Sequence, residues 1–330
     1  MLQTLDVVEL KDGRKMSIRC FTPPEQEYAD GFKHFMRYLN DENTRSVSAR
    51  SDGKYADCSV DRYFIGEIDG RIAGQVWYGW GHHKRPVANF GQVYVDLDFR
   101  GLGITNILMK YLHADFESSP VMGAMCTCMA PWITDIYRPY GFHQTYPDSP
   151  RLYCPGSGSP FNFKDLSEEY YKNSSALRVL PGTMEYRHEI DCLLKFTLEL
   201  KKKTAQRNFV ASAVTSYQDA LFKQEDKQGR IFVVLSDDGR CIGWSFCLAP
   251  LPDTTAVFLD YELHPDYEAF AREAVKETIA QWNGDGGHSL LAACAQESEK
   301  MSVLSDNGFK TIGNLSFSGS AETILMVNRE

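Results

Sequence analysis

The run VYVDLDFRGLGITNILMKYL, residues 93–112, sets an arginine and two glycines between two segments of different periodicity. Val93 and Val95 alternate with Tyr94 and Asp96, the period of a strand. Ile104, Ile107, Leu108, Tyr111 and Leu112 then recur at helical spacing. A glycine-bearing turn from strand to helix leaves the first backbone N–H groups of the helix facing outward, at the positive end of its dipole, with no side chain blocking approach. Arg100-Gly101-Leu102-Gly103 is such a turn, and the chemistry it suits is binding a pyrophosphate. The dinucleotide fingerprint G-x-G-x-x-G is not met, because the third glycine is missing at its spacing. The adjacent His82 and His83 would diverge on an extended chain and lack a third ligand at suitable spacing, so no metal site is expected.

The elements that must position this junction belong to a chain of 330 residues, 43% hydrophobic and 24% charged, long enough for two domains with a core each. The formal charge is −9 and the pI about 5.5. The one basic run, Lys201 to Lys203, ends a predicted helix, where cations suit the dipole, so nucleic acid is not an expected partner. Nine cysteines stand without zinc-type pairing; Cys126 and Cys128, in the apolar run VMGAMCTCMA, read as buried free thiols on one face of a strand. No run approaches a membrane span and the first residues do not read as a leader, which predicts a cytoplasmic protein with no membrane partner.

The chain reads the same way twice. RYFIGEIDGRIAG at 62–74 and RIFVVLSDDGRCIG at 230–243 each describe a strand, an Asp-Gly turn and a second strand. VDLDFRGLG from Val95 aligns with LHPDYEAFA from Leu263, and YGF at Tyr140 with NGF at Asn307; the three displacements are 169, 168 and 167 positions. A shared register of this kind indicates a tandem duplication. Each copy is expected to run strand, one or two helices, hairpin, long strand, helix, strand, short helix and last hairpin. The stretch from Tyr146 to Ala176 is dense in Pro, Gly and Ser and reads as a connection with at most a short strand around Arg151 to Cys154; the predicted division is 1–155 for the first domain, 156–175 for the linker and 176–330 for the second.

These residues resemble the GCN5-related N-acetyltransferase (GNAT) family, twice over. The resemblance rests on Val95, Arg100, Gly101, Leu102, Gly103, Ile104 and Thr105, which follow the family's acetyl-CoA motif, and on Tyr137 four residues before Gly141-Phe142. Thr105 departs from the motif's final small residue, and Ala130 stands where an asparagine often precedes the tyrosine. The implied fold class is α/β: two tandem GNAT-like domains, each a mixed, mostly antiparallel sheet flanked by helices. In the second copy Glu268, Ala269 and Ala271 replace Arg100, Gly101 and Gly103, and Leu304 replaces Tyr137, so that copy is expected to keep the frame and lose the chemistry.

The resemblance also implies roles. Backbone groups of Val93, Tyr94 and Val95 would pair with the pantetheine arm of acetyl-CoA; Gly101 to Thr105 would cap the pyrophosphate, with Arg100 adding charge. Tyr137 would be the general acid for the departing thiolate. Tyr94 and Asp96 are the candidates for the general base, with Glu67, His82 and His83 behind them. The implied reaction is acetylation of a primary amine on a small molecule. A protein or peptide acceptor and a non-catalytic acyl-CoA-binding module are the alternatives, and the second copy would complete or cover the acceptor site.

Overall fold

The computed structural model describes residues 1–38, 41–84, 86–128, 130–172, 174–200, 216–249, 256–282, 289–295, 298–315 and 323–328. The reading of Lys201 to Lys203 as a helix end lies outside them. The chain divides into two compact units, Met1–Glu168 and Glu169–Glu330.

In the first unit β1 (Leu2–Glu9) and β2 (Lys15–Phe21) precede α1 (Gln26–Phe35) and α2 (Asp41–Ser51). Then follow β3 (Ser59–Ile68), β4 (Arg71–Gly81), β5 (Val87–Val95), α3 (Ile104–Glu117), β6 (Gly123–Thr127), α4 (Pro131–Tyr137), β7 (His143–Gln144), β8 (Arg151–Pro155) and α5 (Phe163–Tyr170). The sheet order is β1-β2-β3-β4-β5-β6-β8-β7, antiparallel throughout except between β5 and β6. The Asp-Gly signal between β3 and β4 is met by a tight turn in which both central residues, Asp69 and Gly70, are left-handed (φ 49° and 76°). One face of the sheet packs on α3, whose Ile104, Leu108, Leu112 and Phe116 repeat every fourth position and bury against Ile18, Phe64 and Val76. The other face takes α1, through Ala29 and Phe32 against Phe21, Tyr63 and Trp77.

Two elements depart from the sequence reading. β1 is a strand that the hydrophobic pattern does not show: it lies at the sheet edge and most of its side chains are exposed, so no buried face imposes alternation. α5 lies in the stretch expected to be linker. Its start is fixed by Asn162, whose side chain accepts from the N–H of Asp165 (2.9 Å), and it is held by the buried Phe163 and Leu166.

The second unit contains β9 (Leu177–Pro181), α6 (Arg187–Leu200), α7 (Tyr217–Glu225), β10 (Gly229–Ser236), β11 (Cys241–Leu248), β12 (Ala256–Leu263), α8 (Ala271–Trp282), β13 (Ser289–Ala295), α9 (Glu299–Asp306), β14 (Phe309–Leu315) and β15 (Thr323–Asn328). Its order, β9-β10-β11-β12-β13-β15-β14, repeats that of β2 to β7 strand for strand. The one parallel pair recurs too: Val87–Asn89 on Gly123–Met125 in the first unit, Ala256–Phe258 on Ser289–Leu291 in the second. Both sheets are mixed, mostly antiparallel and flanked by helices.

Candidate active site

The site begins where β5 and β6 part. They pair over three residues, and among the described residues the β6 side of β5 carries no ladder past Asn89. On its other side β5 stays on β4 to the end, Gln75 opposite Tyr94 and Gly74 opposite Val95, with the N–H of Asp96 bonded to the carbonyl of Ala73 (2.9 Å). Backbone groups alternate sides along a strand, so if Asp96 and Tyr94 face β4, the N–H and C=O groups of Val93 and Val95 face the opening. This is an unpaired strand edge inside a sheet, shaped to accept an extended amide-bearing chain as an added strand. The pairing slips between Gln75 and Trp77, where β5 carries an extra residue, and Gln92 there is left-handed (φ 51°).

After β5 the chain makes a 3-10 turn, Leu97–Phe99, capped by the Asp96 carboxylate, which accepts from the N–H of Asp98 (3.0 Å). Phe99 is buried, with the guanidinium groups of Arg14 and Arg71 each 5.2 Å from its ring centre. Gly101 and Gly103 then take φ 82° and 81°, a region that L side chains disfavour, and Gly103 is the N-cap of α3 with no side-chain cap bond. The first helical N–H groups, from Ile104 onward, are left without a capping side chain. A Cβ at Gly101 would meet nothing within 4 Å, and at Gly103 only the Lys11 side chain at 3.9 Å. The junction is therefore open as well as polarised, and its residues fit a pyrophosphate.

Arg100 lies back over the strand: its Nε donates to the carbonyl of Val95 (3.3 Å), and its guanidinium is 6.0 Å from the Tyr94 ring centre. The Tyr94 ring meets Phe35 of α1 edge-on at 5.6 Å, which ties the motif strand to the first helix. Tyr137, at the end of α4, is buried and meets Phe90 edge-on at 5.0 Å, close to the point where β6 leaves β5. Burial, and then the thiols of Cys126 and Cys128, push the Tyr137 hydroxyl well above the usual phenol range, so it keeps its proton at neutral pH. A hydrogen bond from Cys126 lowers the Cys128 thiol against the effect of burial. Tyr140 donates to the carbonyl of Asn106 (2.8 Å), which pins the glycine turn after α4 to the first turn of α3.

The other titratable candidates are placed elsewhere. Glu67 is bonded by Arg19 (2.5 Å) and by the Tyr28 hydroxyl (2.6 Å), a cross-strand arrangement on β2 and β3. His82 and His83 follow β4 and precede β5, so β5 separates them from Val95 by roughly 25 Å of strand. Sequence reasoning missed two residues. Lys11 reaches Gly103 from the β1–β2 turn, which the Asp12-Gly13 pair signals. Gln75 is a wholly buried carboxamide whose Nε2 bonds the carbonyl of Gln92; its signal was a lone polar residue in the apolar run of β4.

Between α1 and α2 lies a cavity of about 380 Å³ lined by Asp30, Lys33, His34, Arg37, Thr44 and Ser48. Lys33 is paired there with Asp30 (2.9 Å) and Asp52 (2.7 Å).

Residues 25–128, from α1 through β6, match the acetyltransferase (GNAT) family. The first unit carries a GNAT acetyltransferase domain. Among solved structures, the ribosomal-protein-S5-alanine acetyltransferase of Vibrio fischeri is 19% identical, covering 47% of this chain and 93% of its own, with a TM-score of 0.38. The spermidine N-acetyltransferase of Vibrio cholerae, solved with CoA and spermine, is 17% identical, covering 46% and 95%, with a TM-score of 0.34. A comparison with curated proteins found no match. Within the GNAT domain the family match includes β5, the glycine junction and α3; it ends before Tyr137.

Proposed function

We propose that the first unit transfers an acetyl group from acetyl-CoA to a primary amine of a small molecule. The observation that carries this reading is the coincidence, on one strand, of an unpaired inner edge at Val93 to Val95 and an open, left-handed glycine junction at the head of α3. The C=O of Val93 and the backbone groups of Val95 would hold the pantetheine amides, and the N–H groups of Gly101 to Thr105 the pyrophosphate. Arg100, whose Nε donates to the Val95 carbonyl, would swing from there onto the phosphates.

Acetyl-CoA supplies an activated thioester. Three tasks fall to the protein. The N–H of Val93, facing the opening at the bulge, donates to the thioester oxygen as negative charge develops on it. The Tyr137 hydroxyl, kept protonated by its burial, donates to the departing thiolate. A lysine-like amine is about one part in a thousand neutral at pH 7, so its proton must leave by a base or a water chain. Asp96 spends one oxygen on capping the 3-10 turn, and Tyr94 is packed on Phe35; of the two, Asp96 keeps an oxygen with no partner among the described residues for that task. The acceptor would enter on the α1–α2 side, because Phe35 joins α1 to the motif strand and the cavity lies between those helices.

The test is thiol release from acetyl-CoA by the full chain against a panel of polyamines, amino sugars, amino acids and peptide N-termini. Amine-dependent release with a matching acetylated product is the expected result. Release by peptides alone would replace the small-molecule acceptor, and acetyl-CoA binding without release by any amine would make the unit a binding module.

A further inference from the structure

Gln75 occupies a position on β4 where the neighbouring Ala73, Val76 and Trp77 are all buried and apolar. Its side chain is fully buried, its Nε2 donates to the carbonyl of Gln92, and its Oε1 has no hydrogen-bond partner among the described residues. A buried carboxamide with an unsatisfied acceptor weakens a sheet that an apolar residue would strengthen, so packing alone does not account for glutamine here. What the bond does hold is the bulge. Gln92 is left-handed, an uncommon state for a residue with a Cβ, at the point where β5 slips against β4.

A trans peptide fixes its C=O and the following N–H on opposite sides. The Gln92 carbonyl is drawn toward Gln75 on β4, so the N–H of Val93 points the other way, into the opening that β6 has left. We propose that Gln75 is a positioning residue for acetyl transfer: by holding the Gln92 carbonyl it presets the Val93 N–H as the donor to the thioester oxygen. The assignment rests on the acetyltransferase reading of the same site. A fixed donor stabilises developing charge without turning at the moment of reaction, which is where such groups act most strongly. Without the Gln75 bond the Gln92–Val93 peptide is free to rotate out of that orientation.

The experiment compares full-length wild type, Gln75→Met and Gln75→Glu. It measures acetyl-CoA affinity by calorimetry, kcat and KM with an amine the wild type acetylates, and the infrared carbonyl stretch of bound acetyl-CoA labelled with 13C at the carbonyl. Gln75→Met keeps length and removes the donor. It is expected to lower kcat by about 10- to 100-fold, to leave the KM for acetyl-CoA within about threefold, and to move the carbonyl stretch back toward its position in free acetyl-CoA. Gln75→Glu donates only when protonated, so its rate relative to Gln75→Met should rise as pH falls. Wild-type kcat and an unmoved carbonyl band in Gln75→Met overturn the assignment. Loss of acetyl-CoA binding in both variants overturns it too, since Gln75 would then serve folding. If the wild type itself neither binds acetyl-CoA nor acetylates any amine, the acetyltransferase reading fails first and this assignment with it.

Discussion

Tyr137 touches the motif strand through Phe90, and its buried hydroxyl is protonated wherever the protein is folded at ordinary pH. If it donates to the leaving thiolate, Tyr137→Phe should lower kcat by roughly ten- to a thousandfold while acetyl-CoA affinity changes little; unaltered turnover would remove Tyr137 as the acid. Its raised pKa also has a consequence for stability, shared with Tyr28 and Tyr78, which are likewise pushed up by burial and then by a neighbouring carboxylate. Above the ordinary phenol value near 10 the unfolded chain loses these protons and the folded chain keeps them. The folded state then binds more protons than the unfolded one, so stability falls as pH rises past about 10. Urea midpoints at pH 8 and pH 10.5 check the sign, and Tyr137→Phe should flatten part of the slope.

The junction between β5 and α3 does its work as an element, because helix, turn and strand edge must hold together. Gly103→Glu puts a Cβ at φ 81° and a carboxylate at the uncapped helix head, and should abolish acetyl-CoA binding with a smaller loss of stability. Retained micromolar binding in that variant would reduce the junction to a turn. α3 itself is held by its buried stripe. Leu108 is fully buried against the sheet, and Leu108→Ala should cost about 2–5 kcal/mol in chemical denaturation. In the second unit the same place is built differently. Pro265–Phe270 form a 3-10 helix that runs straight into α8, with Ala271 right-handed (φ −57°), and no left-handed break opens the helix head.

Over the whole chain, the two sheets repeat one strand order, but the junction survives in one copy. Leu304, at the position matching Tyr137, is buried in the core of the second unit. Calorimetric titration should therefore give one acetyl-CoA per chain, and Glu268→Arg alone should not add a second, since the helix continues through Ala271 and no helix head opens at that position. A stoichiometry of two would refute the loss of the second cradle.

The amino-acid sequence by itself determined the repeated order of elements and the two Asp-Gly hairpins. It also determined the glycine junction at Gly101 and Gly103, because each of these is a local matter of side-chain period and of which residues tolerate positive φ. It did not show β1, whose edge position removes the need for an apolar face, nor α5, whose start depends on one asparagine side chain. The site was legible where it is backbone chemistry and obscure where it depends on partners distant in the chain. Nothing in the sequence shows that Glu67, a reserve candidate for the base, is engaged by Arg19 and Tyr28, which lie 48 and 39 residues away in the chain. Gln75 has no part in the sequence reading, because its partner at the bulge, the Gln92 carbonyl, lies 17 residues on and on another strand. Only the tertiary structure decided these, because a strand's sequence fixes which side chains alternate but not which neighbouring strand ends early, and the opening beside Val93 exists only because β6 pairs with three residues of β5 and then leaves.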